Sequence, residues 1–290
     1  MEKVYDVLIL GGGVAGMSAA IYAKRAGKSV AIIEKAALGG QVLQLEKIEN
    51  FPSQPVIDGL TLASMFSKQI KSLDVEILRD EILFVDFSNE NKLMKGRKGV
   101  YCSKNVIIAT GIKSRELGIG EDKFLGQGVS FCAVCDANFY KNKPVCVASK
   151  RGSGIMAARY LCNVASKVTL LDSEDMSIFA AANKNEKIEI VSKCKINDVK
   201  QDDFGISINT ETDGKNKNFS AAALFVELGK IPATNLFKGV LELDAKGFII
   251  TDENLQTSVA GVYAAGDVRN GKLKQIVTAC ADGALAAGGA

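Results

Sequence analysis

Short apolar runs alternate with amphipathic segments from the start of the chain. Residues Val4–Leu10 form an almost unbroken apolar run, which is typical of a strand buried on both faces. From Val14 to about Ala26 the apolar residues recur at helical spacing, and Val30–Ile33 is again a short apolar run. The pattern therefore predicts a strand, a helix and a second strand.

Three glycines lie between the predicted first strand and its helix. Gly11, Gly13 and Gly16 form a G-x-G-x-x-G motif, and Glu34 ends the second strand. Glycines here let the backbone approach a pyrophosphate at the helix N-terminus, and an acidic residue at this distance accepts hydrogen bonds from ribose hydroxyls. Because strand, glycines, helix and acid occur together, the motif predicts a dinucleotide site.

The same pattern recurs 138 residues later. Val145–Ala148 corresponds to the first strand, Ser153–Ala165 to the first helix, and Val168–Asp172 to the second strand with its acidic end. The repeat predicts an α/β protein with two Rossmann-like, three-layer nucleotide-binding domains.

The second copy lacks the glycine motif. Ser149, Arg151 and Gly154 stand in the places of the three glycines, so two of these positions carry a Cβ that obstructs the tight turn. The second strand continues into Asp172-Ser173-Glu174-Asp175, and three carboxylates repel the 2′-phosphate of NADP.

Three interpretations of this second copy remain open. It is a scaffold that binds no nicotinamide; or it binds NADH, with Asp172 on a ribose hydroxyl and Lys150 or Arg151 on the phosphates; or the two basic residues belong to a hydrated loop.

A C-x-x-C pair, Cys132 and Cys135, precedes the second copy and is followed directly by Asp136. The spacing occurs in both redox and zinc sites. A zinc site normally needs a second pair of Cys or His ligands, and the sequence has 0 His and no second C-x-x-C, so a redox-active disulfide is favoured and no metal is expected. Without histidine, Asp136 is the candidate that exchanges protons with the thiols.

Composition adds limits on the class of protein. The 290 residues are 47% hydrophobic, and the net charge of +3 is scattered, which argues against nucleic-acid binding. The N-terminal segment resembles neither a signal peptide nor a membrane span, so a cytoplasmic protein is expected. Five further cysteines in apolar surroundings are interpreted as packing residues: Cys102, Cys146, Cys162, Cys194 and Cys280.

Several short motifs resemble the bacterial-type thioredoxin reductases: Gly39-Gly40-Gln41, Glu49-Asn50-Phe51-Pro52, Ala109-Thr110-Gly111 and Ala264-Ala265-Gly266-Asp267. The resemblance implies an FAD/NAD(P)-linked disulfide reductase fold in which the first dinucleotide domain holds FAD. It assigns the cofactor to these residues: Gly11, Gly13, Ala15, Gly16, Glu34, Gly40, Gln41, Asn50, Thr110, Gly111, Gly266, Asp267, Lys274, Gln275 and Ile276.

The same resemblance assigns roles around the C-x-x-C. Cys135 would face the flavin, Cys132 would attack the disulfide of a thioredoxin-like protein, and Asp136 would exchange protons. Phe139-Tyr140 would contact that partner, and Gln127 departs from the family's usual Arg.

The resemblance also implies a domain plan. The FAD domain comprises 1–113 and 243–290, the second domain comprises 114–242, and a homodimer with a rotation between its domains is expected.

The lost second motif makes the chain most similar to ferredoxin-driven members of this group. We therefore expect reduced ferredoxin to be the electron donor, with a thioredoxin-like protein as substrate. Lys141, Lys143, Lys150 and Arg151 are candidates for docking an acidic ferredoxin, or are simply a hydrated face. The alternatives are an NAD(P)H-dependent thioredoxin reductase with an atypical loop and an oxygen-dependent thiol oxidase.

Overall fold

The predicted first strand, helix and second strand are confirmed in a computed structural model, which describes residues 3–45, 47–183 and 185–290 without the side chains of Gln44, Val134, Cys135 and Ala182. In chain order the described strands are β1 (Val4–Leu10), β2 (Val30–Ile33), β3 (Glu76–Leu78), β4 (Ile82–Asp86), β5 (Lys92–Gly96), β6 (Val100–Ile108), β7 (Ile112–Ser114), β8 (Val129–Ser130), β9 (Pro144–Ser149), β10 (Lys167–Asp172), β11 (Ile188–Val191), β12 (Cys194–Asp202), β13 (Gly205–Thr212), β14 (Lys215–Ala221), β15 (Ala223–Glu227), β16 (Lys230–Pro232) and β17 (Val262–Ala264). The described α-helices are α1 (Val14–Arg25), α2 (Gly59–Ser72), α3 (Ala133–Asp136), α4 (Ile155–Leu161), α5 (Ser177–Ala182) and α6 (Ile276–Gly289).

The chain divides into two compact units. Unit 1 comprises Met1–Lys113 and Ile231–Ala290, and unit 2 comprises Ser114–Lys230. The return to unit 1 therefore falls at residue 231, earlier than the expected 243. The 3-10 helix Asn235–Phe237 explains the difference, because Phe237 is fully buried in the same hydrophobic cluster as Leu8 of β1.

A seven-stranded sheet forms the centre of unit 1. Its strand order is β3-β2-β1-β6-β5-β4, and β17 also pairs with β6. The strands β1, β2, β3, β6 and β17 are parallel, whereas β4 and β5 form an antiparallel extension. Since β1 and β2 are buried along most of their length, their continuous apolar runs fit a sheet covered on both faces.

Small residues allow α1 and α6 to pack closely in unit 1. A Cβ added at Gly283 of α6 would lie 2.2 Å from the carbonyl oxygen of Ala15 in α1. Ala19, Ala279 and Ala286 are also buried in this cluster. The alanine and glycine content of α6 thus fixes its distance from the helix that follows the glycine motif.

Unit 2 contains a five-stranded parallel sheet and a three-stranded antiparallel sheet. The parallel sheet has the order β11-β10-β9-β15-β8, and the antiparallel sheet has the order β12-β13-β14. The carboxyl ends of β8, β9, β10 and β15 lie on one edge because these strands are parallel and in register. Residues following these strands therefore meet at that edge.

Every helix among the described residues is too short or too polar to span a lipid bilayer.

Candidate functional site

The glycine motif of unit 1 forms a tight turn between β1 and α1. Gly11 has a positive φ of 112°, and a Cβ on it would lie 2.4 Å from the carbonyl oxygen of Ala109. A Cβ on Gly16 would lie 2.0 Å from the carbonyl oxygen of Gly11. Both positions therefore exclude every residue larger than glycine, as the motif requires.

Gly13 differs from these two glycines because its surroundings are open. No atom lies within 4 Å of a Cβ built on it, and it caps α1 without a side-chain hydrogen bond. A pyrophosphate needs uncapped helix amides, which the N-terminus of α1 provides, and close approach to the backbone, which the open space beside Gly13 allows. The residues present thus fit a dinucleotide such as FAD.

Glu34 lies at the carboxyl end of β2, beside this turn. Its carboxylate accepts hydrogen bonds from the Gly12 N–H at 2.7 Å and from the Ala36 N–H at 2.7 Å, and the side chain is partly exposed. These bonds hold the carboxylate at the mouth of the turn, where a ribose could reach it.

Several other predicted cofactor residues lie around the same turn. A Cβ on Gly40 would approach Gly13 Cα to 3.2 Å, so these two segments touch. Gln41 donates from Nε2 to the Ile112 carbonyl at 2.7 Å, which places it at the end of the segment that contains Gly111. Thr110 donates from Oγ1 to the Ala233 carbonyl at 3.0 Å.

The start of α6 carries a second group of predicted cofactor residues. Gln275 caps the helix that begins at Ile276 and forms a capping box with Thr278. Asn50 donates from Nδ2 to Gln275 Oε1 at 2.9 Å, which connects the predicted E-N-F-P segment to this helix end.

Lys274, which precedes this cap, is partly buried. Its ammonium lies 4.6 Å from the centre of the Phe248 ring and donates to the Arg269 carbonyl. Burial lowers the pKa of Lys274, and the attraction of Asp267 opposes that effect.

The Gly266-Asp267 turn packs on α1 and is fastened by an ion pair. A Cβ on Gly266 would lie 2.8 Å from the Cβ of Ala15, so the turn lies directly against the predicted cofactor helix. Asp282 of α6 accepts hydrogen bonds from the Gly266 N–H at 3.0 Å and from Arg269 Nε at 2.8 Å. Arg269 and Asp282 are 19% and 14% exposed, so this ion pair is largely buried.

Asp282 and Arg269 were not among the residues predicted from the sequence. A signal was available, since Asp282 is the single charged residue in the alanine- and glycine-rich segment that forms α6. A charge in an otherwise apolar, closely packed helix implies a specific partner.

The C-x-x-C motif begins the short helix α3 in unit 2. Cys132 is disulfide-bonded, and its predicted partner, the side chain of Cys135, lies outside the described residues. The helix ends at Asp136 and continues as a 3-10 helix, Ala137–Tyr140.

Ser130 connects the Asp136 carboxylate to the backbone of Cys132. The Ser130 hydroxyl donates to Asp136 Oδ2 at 2.7 Å and accepts from the Cys132 N–H at 3.0 Å. Ser130 is almost completely buried, whereas Cys132 and Asp136 are partly exposed. Ser130, which was not among the residues predicted from the sequence, therefore connects Asp136 at the end of α3 to Cys132 at its start.

The loop after β9 is closed by Asp172, the last residue of β10. The Asp172 side chain is fully buried. It accepts hydrogen bonds from Ser149 Oγ at 2.6 Å, the Arg151 N–H at 3.1 Å and the Gly152 N–H at 2.8 Å. The Ser149 hydroxyl accepts in turn from the Gly154 N–H at 2.9 Å. The amides that would bind a phosphate in an intact loop are thus bonded within the protein.

The helix after this loop is shorter than the repeat predicts. The expected helix was Ser153–Ala165, and the observed α4 is Ile155–Leu161. In the repeat, Gly152 corresponds to Val14, the first residue of α1, but Gly152 has a positive φ of 74°, which no right-handed helix accommodates. The first turn of the equivalent helix α1 is therefore replaced here by a loop around Asp172.

The charged residues near this loop are paired with one another. Arg151 Nε lies 3.8 Å from Glu174 Oε1 in an exposed ion pair. Hydrogen bonds from Ser177 lower the pKa of Asp175 to about 2, so that carboxylate is ionised at neutral pH.

The four basic residues considered for docking do not form one cluster. Lys141 and Lys143 precede β9, whereas Lys150 and Arg151 follow it. A strand of this length separates the two pairs by roughly 17–20 Å.

The five cysteines outside the motif lie in the packed interior or beside it. Cys146, Cys162 and Cys194 are buried, as expected, whereas Cys102 and Cys280 are only partly buried. Burial raises the pKa of Cys146 to about 12 and that of Cys280 to about 11.

Comparisons with known proteins agree with this architecture. Residues 5–283 match the family model of the pyridine nucleotide-disulphide oxidoreductases. The chain is 38% identical to a thioredoxin reductase of Peptoclostridium acidaminophilum, over 99% of this chain and 96% of that protein. The crystal structure of thioredoxin reductase from Streptococcus pyogenes superposes with a TM-score of 0.78 at 35% identity, covering 100% of this chain and 97% of the other.

A ferredoxin-flavin thioredoxin reductase from Clostridium acetobutylicum is a more distant structural neighbour. Its TM-score is 0.56 at 28% identity, covering 99% of this chain and 96% of that protein. The chain therefore belongs to the pyridine nucleotide-disulphide oxidoreductase family and, within it, is a thioredoxin reductase-type disulfide oxidoreductase with FAD as its cofactor.

Proposed function

We propose that this flavoprotein takes its electrons from a reduced ferredoxin, not from NADPH, and passes them through FAD and the Cys132/Cys135 pair to a thioredoxin-like protein. The observation that carries the proposal is the buried Asp172 carboxylate, which accepts hydrogen bonds from the amides of the second loop.

Three properties of this loop disfavour NADPH. The Arg151 and Gly152 amides already bond an anion that belongs to the protein, so a pyrophosphate would have to displace a buried carboxylate. Without its first turn, α4 cannot present helix amides at the position equivalent to Gly13. The neighbouring carboxylates of Glu174 and Asp175 repel a 2′-phosphate.

A one-electron donor could reduce the FAD that unit 1 would hold. FAD accepts electrons singly and gives them up in pairs, which matches a one-electron donor to a two-electron disulfide. Gly11, Gly13, Gly16 and Glu34 would hold its pyrophosphate and ribose, and the start of α6 would lie near its ring.

Thiol–disulfide exchange would then proceed at Cys132. After reduction, its thiolate attacks one sulfur of the partner's disulfide, so a mixed disulfide forms and the partner's other sulfur leaves as a thiolate. By family resemblance Cys135 then attacks the mixed disulfide, which restores the Cys132/Cys135 disulfide and releases the partner as a dithiol. Asp136, held by Ser130, is placed to donate and accept the protons of this cycle.

An exposed aromatic beside the redox helix supports a protein substrate. Phe139 is 66% exposed in the 3-10 helix that follows α3, whereas Tyr140 packs edge-on against Phe225 with ring centres 5.7 Å apart. We propose that Phe139 contacts the thioredoxin-like partner. A homodimer and a rotation between the two units remain part of the proposal, by resemblance to the family.

Anaerobic titration of the FAD-loaded protein tests the donor. Reduced ferredoxin should bleach the flavin absorbance at about 450 nm, whereas NADPH and NADH at equal electron equivalents should leave it unchanged. Cys132→Ser is the matched control, because it should accept electrons from ferredoxin but reduce no thioredoxin. Rapid bleaching by NADPH or NADH would overturn the proposed donor. Oxygen uptake driven by a dithiol substrate would instead favour the thiol oxidase.

A further inference from the structure

Glu227 is a second carboxylate at the redox helix. It ends β15, the strand that lies between β8 and β9, and so emerges at the same sheet edge as the C-x-x-C motif. Its Oε1 accepts a hydrogen bond from the Ala133 N–H at 3.3 Å. Since Ala133 N is bonded to the carbonyl carbon of Cys132, this carboxylate lies one peptide unit from the cysteine.

The backbone amides on both sides of Cys132 therefore lead to carboxylates. The Cys132 N–H donates to Ser130, whose hydroxyl donates to Asp136. The Ala133 N–H donates to Glu227 directly. One carboxylate serves the proposed proton exchange, and the other has no role in it.

Glu227 also joins the redox helix to the closed loop. Its backbone carbonyl accepts a hydrogen bond from the Ser153 hydroxyl, and Ser153 Oγ accepts from the Lys150 N–H at 3.1 Å. The Glu227 side chain thus bonds the helix that carries the C-x-x-C motif, and the Glu227 backbone bonds the closed loop after β9.

We propose that Glu227 is a positioning residue of the redox centre, whose negative charge opposes thiolate formation at Cys132 and so sets the rate at which the reduced protein attacks disulfides. The proposal rests on the proposed role of Cys132 as the attacking thiol. A carboxylate that accepts from the amide next to Cys132 would repel a thiolate there, so ionisation of either group would hinder ionisation of the other.

The other charges near Glu227 do not neutralise it fully. Burial raises the pKa of Glu227, and the hydrogen bond from Ala133 and the attraction of Lys230 oppose that effect only in part. Other ionisable groups on the neighbouring elements and loops include Asp136, Tyr140, Cys146, Lys150, Arg151, Arg159 and Asp172. Arg151 and Asp172 have partners of their own in the closed loop.

Alkylation of the chemically reduced protein tests this role without any electron donor or thioredoxin. The FAD-loaded protein is reduced with dithiothreitol, desalted anaerobically and treated with iodoacetamide between pH 5 and 10. Peptide mass spectrometry then gives the alkylation rate at Cys132 separately from the other cysteines.

In Glu227→Gln, which keeps an acceptor oxygen for Ala133, the pH midpoint of Cys132 alkylation should fall by about one unit. The rate at pH 7 should rise roughly tenfold, because each unit of pKa changes the thiolate fraction tenfold.

Three further variants, Glu227→Asp, Glu189→Gln and Glu227→Ala, complete the test. Glu227→Asp retains the charge and should keep a midpoint close to that of the unsubstituted protein. Glu189→Gln, a partly buried glutamate on β11 of the same sheet, should have no effect. Unchanged Cys132 profiles in both Glu227→Gln and Glu227→Ala, with native circular dichroism, would overturn the proposal. Because no donor is present, this outcome is independent of whether ferredoxin or NADPH reduces the flavin.

Discussion

The two β-α-β units of this chain share a topology but use the acid at the end of the second strand differently. In unit 1, Glu34 is partly exposed and bonds a single amide of the glycine turn, while Gly13 faces open space. In unit 2, the equivalent Asp172 is fully buried and bonds two loop amides and the Ser149 hydroxyl. A carboxylate one methylene shorter therefore turns from a ligand-facing group into an internal substitute for the ligand's phosphate.

The difference extends from one side chain to a helix. In unit 1 the helix starts directly after Gly13, and its first amides have no side-chain cap. In unit 2 the chain instead takes left-handed conformations at Arg151 and Gly152 before α4 begins. In unit 2 the loop that bonds Asp172 therefore takes the place of the helix turn that would have bound a phosphate.

Exchanging the residues at equivalent positions should have the largest effect. In Gly13→Arg the side chain would fill the space proposed for the pyrophosphate, and we expect FAD affinity to fall about 100-fold, or about 2.7 kcal/mol. Flavin fluorescence during equilibrium dialysis measures this loss.

The reciprocal variant, Arg151→Gly, is the control for that exchange. It should retain FAD and gain about 1 kcal/mol of stability, because glycine adopts φ of 53° without strain. Equal loss of FAD affinity in Gly13→Arg and Arg151→Gly would show that FAD binding does not depend on the Gly13 loop in particular.

Neutralising the buried acid should have the next largest effect. Asp172→Asn places an amide NH₂ opposite backbone donors, and we expect the free energy of unfolding to fall by about 2–3 kcal/mol. Urea unfolding of the apoproteins, followed by circular dichroism, measures it. Glu34→Gln, the matched variant in unit 1, should lose less than about 1 kcal/mol because its side chain is partly exposed. Similar losses of unfolding free energy in Asp172→Asn and Glu34→Gln would show that the two acids contribute equally to stability.

The smallest expected effect concerns the pH dependence of stability. Burial raises the pKa of Glu227 in the folded protein. Its contribution to stability is therefore complete below its unfolded pKa, about 4.3, and is lost as the pH rises through the folded value. The unfolding midpoint of Glu227→Gln should match that of the unsubstituted protein near pH 4 and exceed it at pH 7. Parallel midpoints from pH 4 to pH 8 would show that Glu227 ionises equally well in the folded and unfolded chains.

Much of the fold follows from local patterns. The apolar runs predicted β1, β2, β9 and β10 nearly to the residue, because a strand covered on both faces has to be apolar throughout. The boundary at residue 231 did not follow, because Phe237 is held in unit 1 by contacts distant in sequence.

The candidate site divides in the same way. The glycine motif, the C-x-x-C and Asp136 were visible because their chemistry requires particular residues at short spacings. Ser130, Asp282 and Glu227 were not visible as site residues, since their partners lie on other elements or gain importance only through burial.

The sequence by itself determined that one nucleotide loop is intact and the other altered, because the loss of glycines can be read residue by residue. Only the tertiary structure decided what replaced the lost function. Asp172 reaches the loop of β9 because β9 and β10 are adjacent parallel strands whose carboxyl ends coincide, with Asp172 paired to Ser149 in register. That proximity depends on strand order, which no local spacing encodes.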